Sequence, residues 1–310
     1  MNTLTTAVKD YLALRRSVGF ELHGYERNLN AFVQFLEESG ASHITTALAL
    51  EWARKTPSQI PKQWSWRLSQ VRGFAQYWSA TDPRTEVPPW FLLPFRSRHL
   101  RPYLYTSSQI KDLLEAALRL QPLGGLRGWT YYTLLGLLAS TGLRVGEAMN
   151  LQTADVDLAQ GLLTIRQTKF RKSRLVPLHP STGQVLVEYA ARRDHFLRGR
   201  PAVRFLVSQR EKPLDDAVVH LTFYQLSRQT GLRGPSDSHG PRLHDFRHRF
   251  AIETLLRWYR SGQDIDRRLP ILSTFLGHAR VEDTYWYLQA CPELMGLAAA
   301  RLEDSWEGKV

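Results

Sequence analysis

The sequence predicts a mainly α protein in two parts: an N-terminal four-helix bundle, then a larger helical domain carrying a small antiparallel β-sheet. Three observations predict it. Apolar residues recur at helical spacing in four short windows before residue 80, five prolines crowd residues 82–102, and alternation of period two marks LLTIRQ and RLVPL. With 310 residues, 43% of them hydrophobic, the chain is long enough for one large domain or two ordinary ones with real cores.

Leu4, Ala7, Val8, Tyr11 and Leu12 form the first stripe, which Gly19 can stop. Tyr25, Leu29, Phe32 and Leu36 form the second, ending near Gly40, and a shorter helix covers Thr46 to Lys55. Pro61 sits where a helix often begins, and Trp64, Leu68, Val71, Ala75 and Trp78 line one face of the fourth. These helices make a domain of residues 1–81. Residues 82–104 form a basic, proline-rich linker, because proline opposes helix and favours an extended strap. Its four arginines either follow a phosphate backbone or only keep a plain linker soluble. Residues 105–310 form the second domain. Ser107 or Ser108 can cap a helix through Ile110, Leu113, Leu114 and Ala117, and the apolar YYTLLGLLAS forms the next. LLTIRQ and RLVPL pair as a hairpin across TKFRKS, and everything after residue 216 reads as helix.

Composition then narrows the function. Lys and Arg number 41 against 29 Asp and Glu, a formal charge of +12 and a pI near 10.0. Such an excess attracts polyanions through counterion release, so nucleic acid is the leading partner. No apolar run approaches the ~20 residues of a membrane helix, and the N-terminus has no signal-peptide pattern, so a soluble, cytoplasmic protein without a membrane partner is expected. Cys291, the single cysteine, allows no internal disulfide and no cysteine-based metal cluster, and fits a reducing compartment.

Three motifs carry chemistry. In TGLRVGE, Arg144 and Glu147 lie at i, i+3, where the carboxylate can orient a guanidinium for bidentate phosphate binding; a surface ion pair has the same pattern. In RLHDFRHRFA, His244 and Arg247 share a helical face, and His248 lies one turn beyond His244. The two histidines have zinc-pair spacing, but Asp-Phe-Arg between them lacks a glutamate base at its first position, and Arg247 disfavours a cation, so no metal is expected. In FLGHARVEDTYWYL, His278 follows Gly277, and Thr284, Tyr285 and Tyr287 lie on the next helical stretch. Taken alone, these aromatics read as core packing.

The order TGLR·GE, a lysine in a strand turn before RLVPL, HDFRH, LGH and then a tyrosine resembles the tyrosine recombinases, the phage-integrase and Xer-type enzymes. The resemblance covers residues of about 105–290, and the N-terminal bundle is similar in kind to the family's core-binding domain. It implies that Arg144 is the first catalytic arginine, His244 and Arg247 the His-x-x-Arg pair, His278 the later histidine, and Tyr287, nine residues on, the nucleophile. The hairpin lysine falls on Lys169, with Lys172 as competitor. Tyr285 competes with Tyr287, but two helical residues differ by about 200°, so only one faces the site, and the family spacing favours Tyr287.

The chemistry is consistent with this. A phenol, with a pKa near 10, attacks a phosphodiester poorly unless a base takes its proton and cations hold the phosphate. Arg144 and Arg247 can bracket the nonbridging oxygens, His244 accept the proton, His278 hydrogen-bond the phosphate and Lys169 protonate the departing 5′ oxygen. The resemblance implies a 3′-phosphotyrosyl intermediate formed without ATP, metal or other cofactor. It also implies a dimer on inverted half-sites of double-stranded DNA and a homo-tetramer at a four-way junction. Arg166, Arg171, Lys172 and Arg174 on the hairpin, and Arg67 and Arg72 on the fourth helix, are candidate DNA contacts. Leu294, Leu297, Ala298 and Leu302 give the last helix an apolar face that relatives dock on a neighbouring subunit. The chain's ending is similar to recombinases of mobile elements, which suits DNA integration or transposition, and the sequence leaves phage integration, transposition and chromosome-dimer resolution open. Two other readings are a topoisomerase-like strand-relaxing enzyme and a DNA-binding architectural or regulatory module with an inactive site. Mere binding requires neither Tyr287 nor Lys169, which counts against the last.

Overall fold

A computed structural model of the chain describes residues 3–20, 22, 24–57, 60–93, 102–166, 173–237, 239–278 and 280–307. It divides into two compact units, Met1–Leu100 and Arg101–Val310.

The first unit holds α1 (Thr3–Ser17), α2 (Tyr25–Glu38), α3 (Thr46–Arg54) and α4 (Pro61–Trp78). The expected stripes form its core: Val8, Leu12, Leu29, Phe32, Leu36, Leu68 and Val71 are all buried. One polar link crosses that core, Asn28 Nδ2 donating to Gln70 Oε1 at 3.1 Å. The strap begins differently from a free linker. Glu86 N donates to Ile44 O at 2.9 Å, Thr46 N donates to Glu86 Oε2 at 2.8 Å, and Leu93 is buried with the bundle core. An extended chain leaves its backbone groups unpaired, and the loop before α3 satisfies them.

The second unit begins with α5 (Ser107–Leu118) and α6 (Leu126–Thr141). Thr106, not Ser107 or Ser108, caps α5. Its Oγ1 accepts from Gln109 N at 3.2 Å while Gln109 Oε1 accepts from Thr106 N at 3.0 Å, a reciprocal capping box. After α7 (Val145–Asn150) comes a short 3₁₀ turn, then β1 (Val156–Asp157), β2 (Leu162–Ile165) and β3 (Arg174–Pro177), antiparallel in that order. The predicted hairpin is β2 and β3, with Leu163 opposite Val176; β1 is an added edge. Next is α8 (Pro180–Phe196), where the sequence suggested nothing, since its only buried residues are Leu186, Tyr189 and Arg193. Then follow α9 (Asp216–Gln229), α10 (His244–Arg260), α11 (Ile265–Leu276), α12 (Glu282–Ala290) and α13 (Pro292–Glu307).

The buried helix α6 packs against α5, α8 and α10 and forms the spine of the unit. A second cluster joins α10 to α13 through Ala251, Leu255, Leu269, Leu272, Leu276, Tyr287 and Leu294. The last helix lies on α10 and α12 of its own chain, and Arg301 Nη1 ties it to Gln263 O at 2.7 Å.

Candidate active site

Three helix ends meet where the motifs predicted chemistry. Helix α6 stops at Gly142, whose φ of +62° suits glycine; a Cβ there would also meet the Phe250 ring at 2.7 Å. The chain then turns to Arg144, which precedes α7. Its backbone N donates to Glu147 Oε2 at 3.0 Å and its Nη1 to Glu147 Oε1 at 2.8 Å. Helix α10 presents His244, Arg247 and His248 from its first turns. Helix α11 ends at Gly277, φ +69°, with its last carbonyls pointing into the site.

Those carbonyls collect the arginines. Arg174 Nε donates to Phe275 O at 2.7 Å, Arg247 Nη2 to Leu276 O at 2.7 Å, and Arg144 Nη2 to Gly277 O at 2.9 Å. A helix C-terminus leaves carbonyls unpaired and carries partial negative charge, so three consecutive oxygens make a natural cradle for cations. Arg247 also donates through Nη1 to Gly142 O at 2.9 Å, and it is only 2% exposed. Burial pushes its pKa down to about 10, which leaves it cationic at neutral pH. Glu147 would be raised by burial, but Arg174 and Arg144 outweigh that and hold it below the usual carboxylate range.

Tyr287 closes the site from α12, 2% exposed. Its ring stacks on His278, centroids 5.9 Å apart at 23°, and meets His248 nearly edge-on at 5.6 Å. Burial raises the phenol's pKa, and the neighbouring Arg247 opposes that rise. The hydroxyl is thus kept neutral at rest, close to the cation that favours its ionised form. His278 Nδ1 lies 2.7 Å from Thr284 Oγ1, which leaves Nε2 as the nitrogen free for a substrate oxygen. Burial is the main cause that lowers His278 to about 4 and His248 to about 3, and it lowers His244 as well.

The structure therefore brings together Arg144, Glu147, Arg247, His278 and Tyr287. His244 feels the charges of Arg247 and Arg144, and its ring lies 4.6 Å from that of His248, which lies 5.6 Å from Tyr287. Tyr285 points away, 46% exposed. Lys169, Arg171 and Lys172 lie outside the described residues. Of the other candidate DNA contacts, Arg166 is exposed and pairs with Asp155. Arg174 is turned inward with its side chain 8% exposed. Arg67 donates to Trp52 O at 2.9 Å and lies over the Trp52 ring, while Arg72 donates to Pro88 O and Pro89 O. The last three guanidinium groups each hold acceptors within the protein. Sequence reasoning weighed His248 only as a zinc ligand and missed its packing on Tyr287, although the spacing HDFRH already placed it one turn from His244. Among the described residues no three His, Cys, Asp or Glu side chains group as a metal site.

Residues 104–293 match the model of the phage integrase family. The chain belongs to that family. It is 53% identical over 313 residues to a Sinorhizobium fredii protein described as an integrase/recombinase, y4rB, with both chains covered in full. It is 29% identical over 272 residues to the tyrosine recombinase XerD of Neisseria meningitidis, covering 86% of each. Among solved structures, the integrase of transposon Tn1549 shares the fold with a TM-score of 0.67 at 17% identity, over 96% of this chain and 98% of that one. The protein is a site-specific recombinase of the tyrosine class, mainly helical with a small antiparallel sheet.

Proposed function

We propose that this recombinase cleaves one DNA strand by attack of Tyr287 Oη on the scissile phosphate, giving a 3′-phosphotyrosyl bond and a free 5′-hydroxyl. One observation carries the proposal: Tyr287 is buried against His278 and beside Arg247 within a single chain, whereas Tyr285 faces outward. Arg144, its side chain 32% exposed, meets the phosphate from the open side, and Arg247 meets it from within. His278 hydrogen-bonds a nonbridging oxygen. The phenolic proton passes to His244 by a path along His248, and Lys169 returns a proton to the leaving 5′ oxygen. The new bond keeps the energy of the phosphodiester, so a 5′-hydroxyl from another strand reverses the step without ATP or metal.

In this reading residues 1–81 and the hairpin grip double-stranded DNA, with Arg166 as the exposed described cation of the hairpin. The enzyme dimerises on inverted half-sites and recombines as a tetramer, in DNA integration or transposition of a mobile element. No described helix is long and apolar enough to cross a membrane, and the proposed setting is the cytoplasm.

A nicked suicide duplex from DNA flanking the gene, incubated with protein in EDTA and run on a denaturing gel, tests this. A protein–DNA adduct present in wild type and absent in Tyr287→Phe is expected. An adduct that persists in that variant sinks the assignment and moves the nucleophile, with Tyr285 next.

A further inference from the structure

Arg174 opens β3, opposite Ile165 across the hairpin, and each nitrogen of its guanidinium donates inside the protein. Nη1 and Nη2 donate to Glu147 Oε1 and Oε2 at 3.1 and 2.8 Å, and Nε donates to Phe275 O at 2.7 Å. A Cβ on Gly277 would lie 2.6 Å from Nη1, so the group rests directly against the backbone at the end of α11. The same carboxylate holds Arg144 through its Nη1 and its backbone N. Glu147 therefore accepts from two guanidinium groups and one peptide N–H. The carbonyl beyond the one Arg174 holds belongs to Leu276, which accepts from Arg247, and the carbonyl after that to Gly277, which accepts from Arg144.

We infer that Arg174 is a positioning residue for strand cleavage: by gripping Glu147 and the end of α11 it sets the geometry of Arg144 and Arg247 without touching DNA. The inference rests on the reading of those two arginines as the phosphate-binding pair. A carboxylate bound from one side by Arg144 alone can rotate about its own side chain. Bound in a fork by a second guanidinium, it has one orientation, and so has Arg144. The bond to Phe275 O extends the same constraint to the carbonyl next to the one that Arg247 grips. Three cations against one carboxylate also leave the pocket positive, and Arg174 adds charge there while leaving the open side to Arg144.

The test measures single-turnover cleavage of the suicide duplex, DNA affinity over a range of salt, and melting temperature. The proteins are full-length wild type, Arg174→Gln, Arg174→Lys, Glu147→Gln and the Arg174→Gln/Glu147→Gln double variant. Arg174→Gln is expected to cleave ~10–100-fold more slowly, since a small misplacement of a phosphate-holding group costs that much. Its Kd is expected to change less than about threefold, with the salt slope intact. Arg174→Lys recovers part of the rate. In the Glu147→Gln background the same change costs at least about threefold less, because only its bond to Phe275 O is left to lose. A normal rate with weaker binding and a salt slope smaller by about one would show a phosphate contact and overturn the inference. So would an equal loss in both backgrounds. If Arg174→Gln does not fold, Arg174→Lys carries the same comparison, because an ammonium lacks the planar fork that matches both carboxylate oxygens. An adduct that persists in Tyr287→Phe defeats the nucleophile assignment instead and is distinguishable from all of these.

Discussion

Tyr287 stacks on His278, their ring centroids 5.9 Å apart and their planes 23° apart. The stack is held from below by Thr284, fully buried, whose Oγ1 lies 2.7 Å from His278 Nδ1. Thr284→Val keeps the shape and removes the hydroxyl, so the imidazole loses what sets its tautomer. Cleavage is expected to slow about tenfold with DNA affinity unchanged. Adduct formation timed against a binding isotherm checks it; an unchanged rate would mean that the stack alone orients His278.

Arg247 links two helix ends, Gly142 O on one side and Leu276 O on the other. Lysine keeps the charge but cannot span both carbonyls. Arg247→Lys is expected to abolish adduct formation and to lower stability by ~1–3 kcal/mol, because buried carbonyls are left unpaired. Denaturant melts and the suicide-substrate gel read the two effects separately.

Gly277 and Gly262 share a left-handed conformation, φ +69° and +65°, but only Gly277 has a neighbour where a Cβ would sit. Alanine at Gly262 therefore tests backbone strain alone, about 1 kcal/mol, and leaves cleavage unchanged. Alanine at Gly277 adds a collision with Arg174 and is expected to cost ~2–4 kcal/mol and to slow cleavage as Arg174→Gln does. Equal effects of the two substitutions would remove Arg174 from the account.

His278 and His248 stay neutral in the folded chain because burial lowers them to about 4 and about 3. Below about pH 6.5 the unfolded chain binds protons that the folded chain refuses, so stability falls as pH drops from 6.5 towards 4. Carboxylates are still ionised in the upper part of that window. Melting temperatures at pH 7 and at about pH 5.3 are expected to show a loss that shrinks in His248→Gln. A pH response identical to wild type in that variant would place the proton uptake elsewhere.

Much of this protein is local and was legible as such. The apolar stripes of α1 to α4 became buried faces because side chains at helical spacing share a side whatever they pack against. The hairpin followed from alternation, and the motif order named the family because it needs only neighbouring residues. Helix α8 escaped because few of its residues are buried, and Thr106 took the cap because a glutamine three residues on could return the bond.

By itself, then, the sequence determined most of the elements, the family and the candidate reactive side chains. Only the tertiary structure decided which cations face outward. Arg174 sits in sequence beside other basic residues, and its partners Glu147 and Phe275 are 27 and 101 residues away. Arg144 finds Gly277 O across 133 residues, and Arg247 finds Gly142 O across 105. A guanidinium is drawn to whichever unpaired oxygens come within reach, and the fold, by bringing the ends of α6 and α11 together, decides where those oxygens are.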